Sequence, residues 1–293
     1  MTESLSDWLA LREAADVAAR SATLTRATVD ALSRHNRLDI LDLGTGTGSN
    51  LRYLAGRLPA RQRWLLVDRD PALLAEAPAR TSSWGAANGY AVTIESDQFA
   101  IRGRHMDCCV ATRRLDLGRL ADPQMFSGRH LVTASALLDL VSDAWLGALA
   151  AQCRASRAAV LFALTYTGRS HCSPEEPEDD TIRELMNRHQ RGSDKGFGRA
   201  AGPEAVEYAA RHFAAAGYHV QRAASDWVLL PGTQDLQRQL IGGWAGAAVE
   251  IAPDQTEMVA RWLARRLAHV EAHRSRVTVG HEDFAAWLPS ESR

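Results

Sequence analysis

Two hydrophobic patterns alternate along the chain. Solid apolar runs such as "LDILDL" (38–43) and "AAVLFALTY" (158–166) predict short strands buried on both faces. Longer stretches with an apolar residue every third or fourth position predict helices. The first covers 4–34, where Leu5, Trp8, Leu9, Val17, Leu24 and Leu32 recur at roughly helical spacing. After strand 38–43 come a helix over 48–58 stopped by Pro59, a strand at 63–68 ("RWLLVD"), and a helix opened by Pro71. Residues 90–117 predict a hairpin insertion that turns near "RGR" and leads into a third core strand. "RHLVTASALLDL" predicts a fourth strand running on into a helix at 141–153, and 158–166 a fifth strand. Further on, a helix over 203–216 starts at Pro203 and stops at Gly217. A strand at 218–230, helices at 233–249 and 254–273, and a closing strand at 276–288 split at Gly280 complete the pattern.

Strands alternating with helices predict an α/β fold: a doubly wound, mostly parallel seven-stranded sheet with a terminal antiparallel strand. Residues 1–36 read as an N-terminal helical arm, and 37–293 as the Rossmann-like domain. Two insertions stand out, one over about 168–202 and a helical one over about 233–273. The first holds "SPEEPEDD", read as a solvated acidic face beside His171 and Cys172, then a helix (180–190) and the glycine-dense "RGSDKGFGRAAG". Gly192, Gly196 and Gly198 there suit the hinges of a lid.

Composition narrows the partners. The formal net charge is -1 over 293 residues, so no global polycation awaits nucleic acid. Four cysteines without a CxxC pair argue against a disulfide framework or zinc site and fit a reducing cytoplasm. Acidic residues stand early in the chain with no basic segment before an apolar run, unlike a secretory leader, and no apolar window suits a membrane span. The expectation is a cytoplasmic protein with no metal and no nucleic-acid or membrane partner.

The candidate chemistry lies in "LDLGTGTGSN" (41–50). A phosphate-binding loop would need Gly-Lys-Ser/Thr, but Ser49 and Asn50 follow Gly48. A dinucleotide fingerprint would need a third glycine where Ser49 stands. Asp42, two residues ahead of Gly44, weighs against a pyrophosphate and favours a ligand carrying positive charge.

With those residues in view, "ILDLGTGTGSN" resembles the first motif of the class I S-adenosylmethionine-dependent methyltransferases, of the small-molecule type. The resemblance implies S-adenosylmethionine as cofactor, with Asp42, Gly44, Thr45, Gly46, Gly48 and Asn50 around it. It implies Asp68, with Arg69, on the ribose hydroxyls, Asp116 and Leu117 on the adenine, and Ser135 just past the fourth strand. Arg20 on the arm would pair with the methionyl carboxylate. The activity implied is methyl transfer to an oxygen, nitrogen or carbon of a small-molecule acceptor. Two features depart from the family's pattern. The segment after strand four is "TASALLD" rather than an "NPPY"-type motif, which argues against methylation of a nucleic-acid amine. Two helices separate the last two strands. Proton-accepting candidates are Asp139 and His189. Acceptor-holding candidates are Tyr166, Lys195 and Phe197. Two alternatives stay open: an NAD(P)-dependent Rossmann oxidoreductase, and a non-catalytic cofactor-binding or scaffold protein.

Overall fold

The structure is a computed structural model that describes residues 4–95, 98–118, 120, 122–192 and 194–289, so one residue of the expected lid, 193, lies outside it. The arm is two helices, α1 (Leu5–Ala19) and α2 (Ala22–Leu32), not the single helix expected over 4–34. Ser4 and Asp7 close a capping box on α1. Ser21 caps α2, its hydroxyl accepting from the Leu24 amide at 3.2 Å, and its own amide donates to Asp283 Oδ2 at 2.8 Å.

Then follow β1 (Leu38–Leu43), α3 (Ser49–Ala55), β2 (Arg61–Asp68), α4 (Pro71–Asn88), β3 (Ala91–Glu95), β4 (Gln98–Gly103) and β5 (Met106–Arg114). β6 (Leu131–Ser135), α5 (Asp143–Ser156), β7 (Ala159–Ser173), α6 (Asp179–Gly192) and α7 (Ala205–Ala215) continue the alternation. The chain ends with β8 (His219–Ala224), β9 (Trp227–Leu229), α8 (Gln234–Ile251), α9 (Thr256–Glu271) and β10 (Arg276–Trp287).

One sheet runs β3-β4-β5-β2-β1-β6-β7-β10-β8, with β9 paired to β10. The stretch β5-β2-β1-β6-β7 is parallel, and β10 lies antiparallel between β7 and β8. Seven of these strands are those expected. Three more join them: the expected hairpin insertion adds both β3 and β4, and the strand expected over 218–230 divides into β8 and β9. Asp226 at that division accepts the His281 amide at 3.0 Å. β7 runs to Ser173, well past the expected end at 166, so the segment expected to open as a loop at 168 begins as strand. β10 is continuous rather than split. Its register on β7 shifts between Val279 and His281, where a Cβ on Gly280 would come within 2.5 Å of Thr167 Oγ1.

Apolar clusters cover both faces of the sheet, and a third packs α6, α8 and α9 onto β7 and β10. Phe162, Phe213 and Phe284, fully buried with centroids 5.5–6.0 Å apart, lock β7, α7 and β10 together; such ring pairs contribute about 0.5–1.5 kcal/mol each. The acidic run is not a solvated face. Glu176 accepts from Arg265 at 2.5 Å and from His269 at 2.8 Å, and Asp179 accepts from Trp262 at 2.8 Å and pairs with the fully buried Arg266. It fastens α9 to the start of α6.

Candidate active site

The carboxyl ends of β1, β2, β6 and β7 open into one cleft of about 1140 Å³, roofed by α1, α6 and α8. At one end lie Gly44, Thr45, Gly46, Asp68, Leu117 and Ser135. At the other lie Trp8, Arg12, Tyr166, Trp227, Trp244 and His281.

The glycine turn is held from beneath. Gly44 and Gly46 have φ of 62° and 55°, a region side chains disfavour. The Thr45 amide donates to Val67 O at 3.1 Å, and the Gly46 amide to Asp68 Oδ2 at 2.8 Å. A Cβ on Gly46 would stand 3.0 Å from Leu9 of α1, so the arm lies directly over the turn. Asp68 lines the cleft, and its second oxygen accepts the Asp70 amide at 3.0 Å.

Asp42 does not face the ligand space, contrary to the expectation that its charge does. It is fully buried, its carboxylate accepting from the Thr45 hydroxyl at 2.5 Å and the Asn50 amide at 2.6 Å. Burial pushes its carboxyl up to about 6, although both bonds pull the other way. Gly48 begins α3 and does not line the cleft. Asn50 does line it, and its side-chain oxygen accepts from Arg20 Nη1 at 2.8 Å. Arg20 itself is buried over the Tyr53 ring at 4.2 Å, with Asp283 4.0 Å away, and its Nε and Nη2 have no hydrogen-bond partner. It borders a crevice beside the cleft, shared with Ser49, Asn50 and Ser135.

Asp116 also stands away from the cleft: it is exposed, and its Oδ1 accepts the Gly118 amide at 2.9 Å. Its neighbour Leu117 is buried and lines the cleft. Lys195 and Phe197 also line the cleft, the Lys195 backbone and the Phe197 ring near this end and the Lys195 charge within reach of Asp139. Arg69 Nη1 donates to Lys195 O at 3.1 Å. Phe197 meets Trp145 edge-on at 5.9 Å, and the Trp145 indole donates to Leu117 O at 2.6 Å.

Asp139 lies in a short turn after β6, 7% exposed, with Oδ1 unpartnered; burial pushes its carboxyl up. His189 on α6 lines the cleft with Nε2 3.0 Å from Glu250 of α8. The Tyr166 hydroxyl donates to Asn187 Oδ1 at 2.9 Å, and burial pushes the phenol up.

Several site residues carry no motif. Asp16 pairs with Arg12 at 3.0 Å and accepts from the Trp227 indole at 3.0 Å. His281, 6% exposed, has an unpartnered Nδ1 and is held neutral, pushed down to about 3 by burial and then by Arg12. Asp283 accepts the amides of Ser21 and Leu164. Gly280, where the register of the closing strand shifts, is a local signal that lies beside this region.

Residues 40–136 match the family model described as a methyltransferase domain. This part of the chain is similar to a methyltransferase domain. The match spans the glycine turn, Asp68, Leu117 and Ser135. It ends at Ala136, ahead of most residues of the aromatic half of the cleft. No curated protein matches the sequence. Similar solved structures include YjhP from E. coli (14% identity, 96% of this chain and 99% of that one, TM-score 0.46). Another is a SAM-dependent methyltransferase from Geobacter sulfurreducens in complex with S-adenosyl-L-homocysteine (15%, 99% and 100%, TM-score 0.43). A third is the cyclopropane synthase MmaA2 from Mycobacterium tuberculosis (10%, 90% and 82%, TM-score 0.45). These overlaps are loose.

The residues fit the methyl donor. Gly44 and Gly46 leave the turn without side chains, Asp68 presents a carboxylate, Leu117 an apolar face, and Arg20 a buried guanidinium nitrogen lacking a partner.

Proposed function

We propose that the chain transfers the methyl group of S-adenosylmethionine to a small-molecule acceptor enclosed beneath α1, α6 and α8. The observation that carries this reading is the single continuous cleft. Its 1140 Å³ exceeds the roughly 300–1,000 Å³ of one-ligand pockets, with the glycine turn at one end and aromatic walls at the other. That is room for a donor and an acceptor together. Net charge near zero and the helical roof favour a small acceptor over nucleic acid.

Asp68 would receive the ribose hydroxyls, Leu117 would pack on the adenine, and Arg20 Nη2 would meet the methionyl carboxylate. Bound there, S-adenosylmethionine supplies an electrophilic methyl group on a sulfonium. Trp8 and Leu9 of α1 exclude water from the reacting centre, and the walls align the acceptor, which is much of what such a displacement requires. Asp139 accepts the proton that an attacking oxygen or nitrogen gives up. His189, tied to Glu250, orients α6 against α8. Lys195 and Phe197 close over the cofactor's adenine side, a cofactor role in place of the acceptor role expected of them. Residues 1–36 act as an arm over the cofactor, and 168–202 with 233–273 as the cap over the acceptor.

Titration calorimetry with S-adenosylhomocysteine tests the reading. Asp68→Ala should weaken binding tenfold or more, since bonds to a charged group contribute about 1.5–3 kcal/mol. Unchanged affinity, or a response to NADP with none to S-adenosylhomocysteine, would overturn it.

A further inference from the structure

We infer that the acceptor is an amine: a small apolar or aromatic molecule whose nitrogen lodges at Asp139, in the aromatic half of the cleft. This rests on the methyl-transfer reading of that cleft. Two lining side chains more than nine-tenths buried, Asp139 and His281, each carry an atom with no hydrogen-bond partner, Oδ1 and Nδ1. A carboxylate oxygen can only accept, and a neutral imidazole offers one accepting nitrogen. Gln190 and Gln239, which also line the cleft, each have an unpartnered side-chain oxygen and can turn either end of the amide to a ligand. Buried groups left unmatched are destabilising, so the ligand that suits this end brings a donor to Asp139 Oδ1 and, in one tautomer, a second to His281 Nδ1. A carboxylate brings none and an alcohol one, whereas an amine brings two or more.

Charge points the same way. Arg12 is matched by Asp16 and stacks on Trp227 at 4.9 Å, and the Lys195 backbone carbonyl is held by Arg69, its side-chain charge reaching Asp139 without a direct pair. His189 is paired with Glu250, and Tyr166 with Asn187. Among the described residues Asp139 forms no ion pair; burial pushes its carboxyl up, and Lys195 and Arg12, which pull it the other way, offset that only in part. Trp8, Trp227, Trp244 and Tyr166 supply ring faces for an apolar body and for a nitrogen carrying positive charge. In the transfer, the bound ammonium first gives one proton to the Asp139 carboxylate, which hands it to water; the neutral amine's lone pair then forms the new nitrogen–carbon bond as the carbon–sulfur bond breaks, its electron pair staying on sulfur.

Matched probes test this on the full chain saturated with S-adenosylhomocysteine: tryptamine, tryptophol and indole-3-acetate, and the corresponding phenyl series. In calorimetry at least one amine should bind tenfold or more tighter than its alcohol and its acid. That amine alone should gain label from methyl-labelled donor. Asp139→Asn should erase the preference while S-adenosylhomocysteine affinity changes less than twofold. Equal or tighter binding of an acid or alcohol, no binding by either series, or a preference that survives Asp139→Asn would overturn the amine assignment. Failure of the protein to bind S-adenosylhomocysteine at all would overturn the underlying reading instead.

Discussion

A carboxylate just ahead of a glycine turn can face the ligand or hold the turn, and for Asp42 the hydrogen bonds decide. Thr45 and Asn50 occupy both of its oxygens beneath the loop. Its folded value of about 6 lies above the ordinary 3.8, so between those values the folded protein holds a proton that the unfolded chain has released. Rising pH therefore lowers stability across that window and leaves it level above. Asp42→Asn should remove this dependence. Urea melts of wild type and variant should diverge by on the order of 3 kcal/mol between pH 4 and 6.5; parallel curves would refute the buried charge. Asp139 is shifted the same way, so as a base it regains its proton at higher pH than an ordinary aspartate. Methyl transfer should fall away as pH drops through that raised value, and Asp139→Asn should lose this limb of the profile. At this scale the sequence was half legible. Asp68 could be placed because a strand end dictates where its side chain emerges. Asp42 and Asp116 could not, because whether a carboxylate faces a ligand or caps a nearby amide depends on neighbours that a spacing rule does not contain.

At the scale of elements, the break between α1 and α2 positions Arg20. The helical pattern runs through it unbroken, since alanines fill every face, and the interruption is imposed by a residue near the other end of the chain. Asp283 on β10 accepts the amides of Ser21 and Leu164 and lies 4.0 Å from Arg20. That contact joins the arm, the left-handed Leu164 at the end of the cleft (φ 56°), and the closing strand. Removing one member of such a buried set leaves an uncompensated charge. Asp283→Ala should cost about 3–5 kcal/mol in denaturant melts and weaken S-adenosylhomocysteine binding through a loosened Arg20. A loss below about 1 kcal/mol would show that the contact does not organise the arm. The same long-range origin explains why β7 outran its expected end. Its outer half is polar and exposed in alternation and is strand because β10 pairs with it out to Ser173.

Across the whole molecule, the cleft is two sites of different origin. On the proposed reading, most of the donor half comes from the first half of the chain, from consecutive strand–turn–helix units, and Gly44, Gly46, Asp68 and Leu117 could be read from local order. The acceptor half gathers Trp8 from α1, Tyr166 from β7, Trp227 from β9, Trp244 from α8 and His281 from β10, which no local pattern brings together. The two halves should therefore fail independently. Gly242 and Gly243 of α8 line the acceptor half, and a Cβ at either meets nothing within 4 Å. A leucine at 243 is better suited to a helix than glycine by roughly 0.8–1 kcal/mol, so the fold should tolerate it. Its side chain would occupy open space beside the cleft that Gly243 lines. Gly243→Leu should raise the acceptor KM tenfold or more, or abolish transfer, while S-adenosylhomocysteine affinity and thermal stability hold. Asp68→Ala should do the reverse, weakening the donor and leaving the acceptor KM at saturating donor near its wild-type value. A parallel loss of both affinities in Gly243→Leu would mean that α8 shapes the cofactor's seat as well, and the division of the cleft would have to be redrawn.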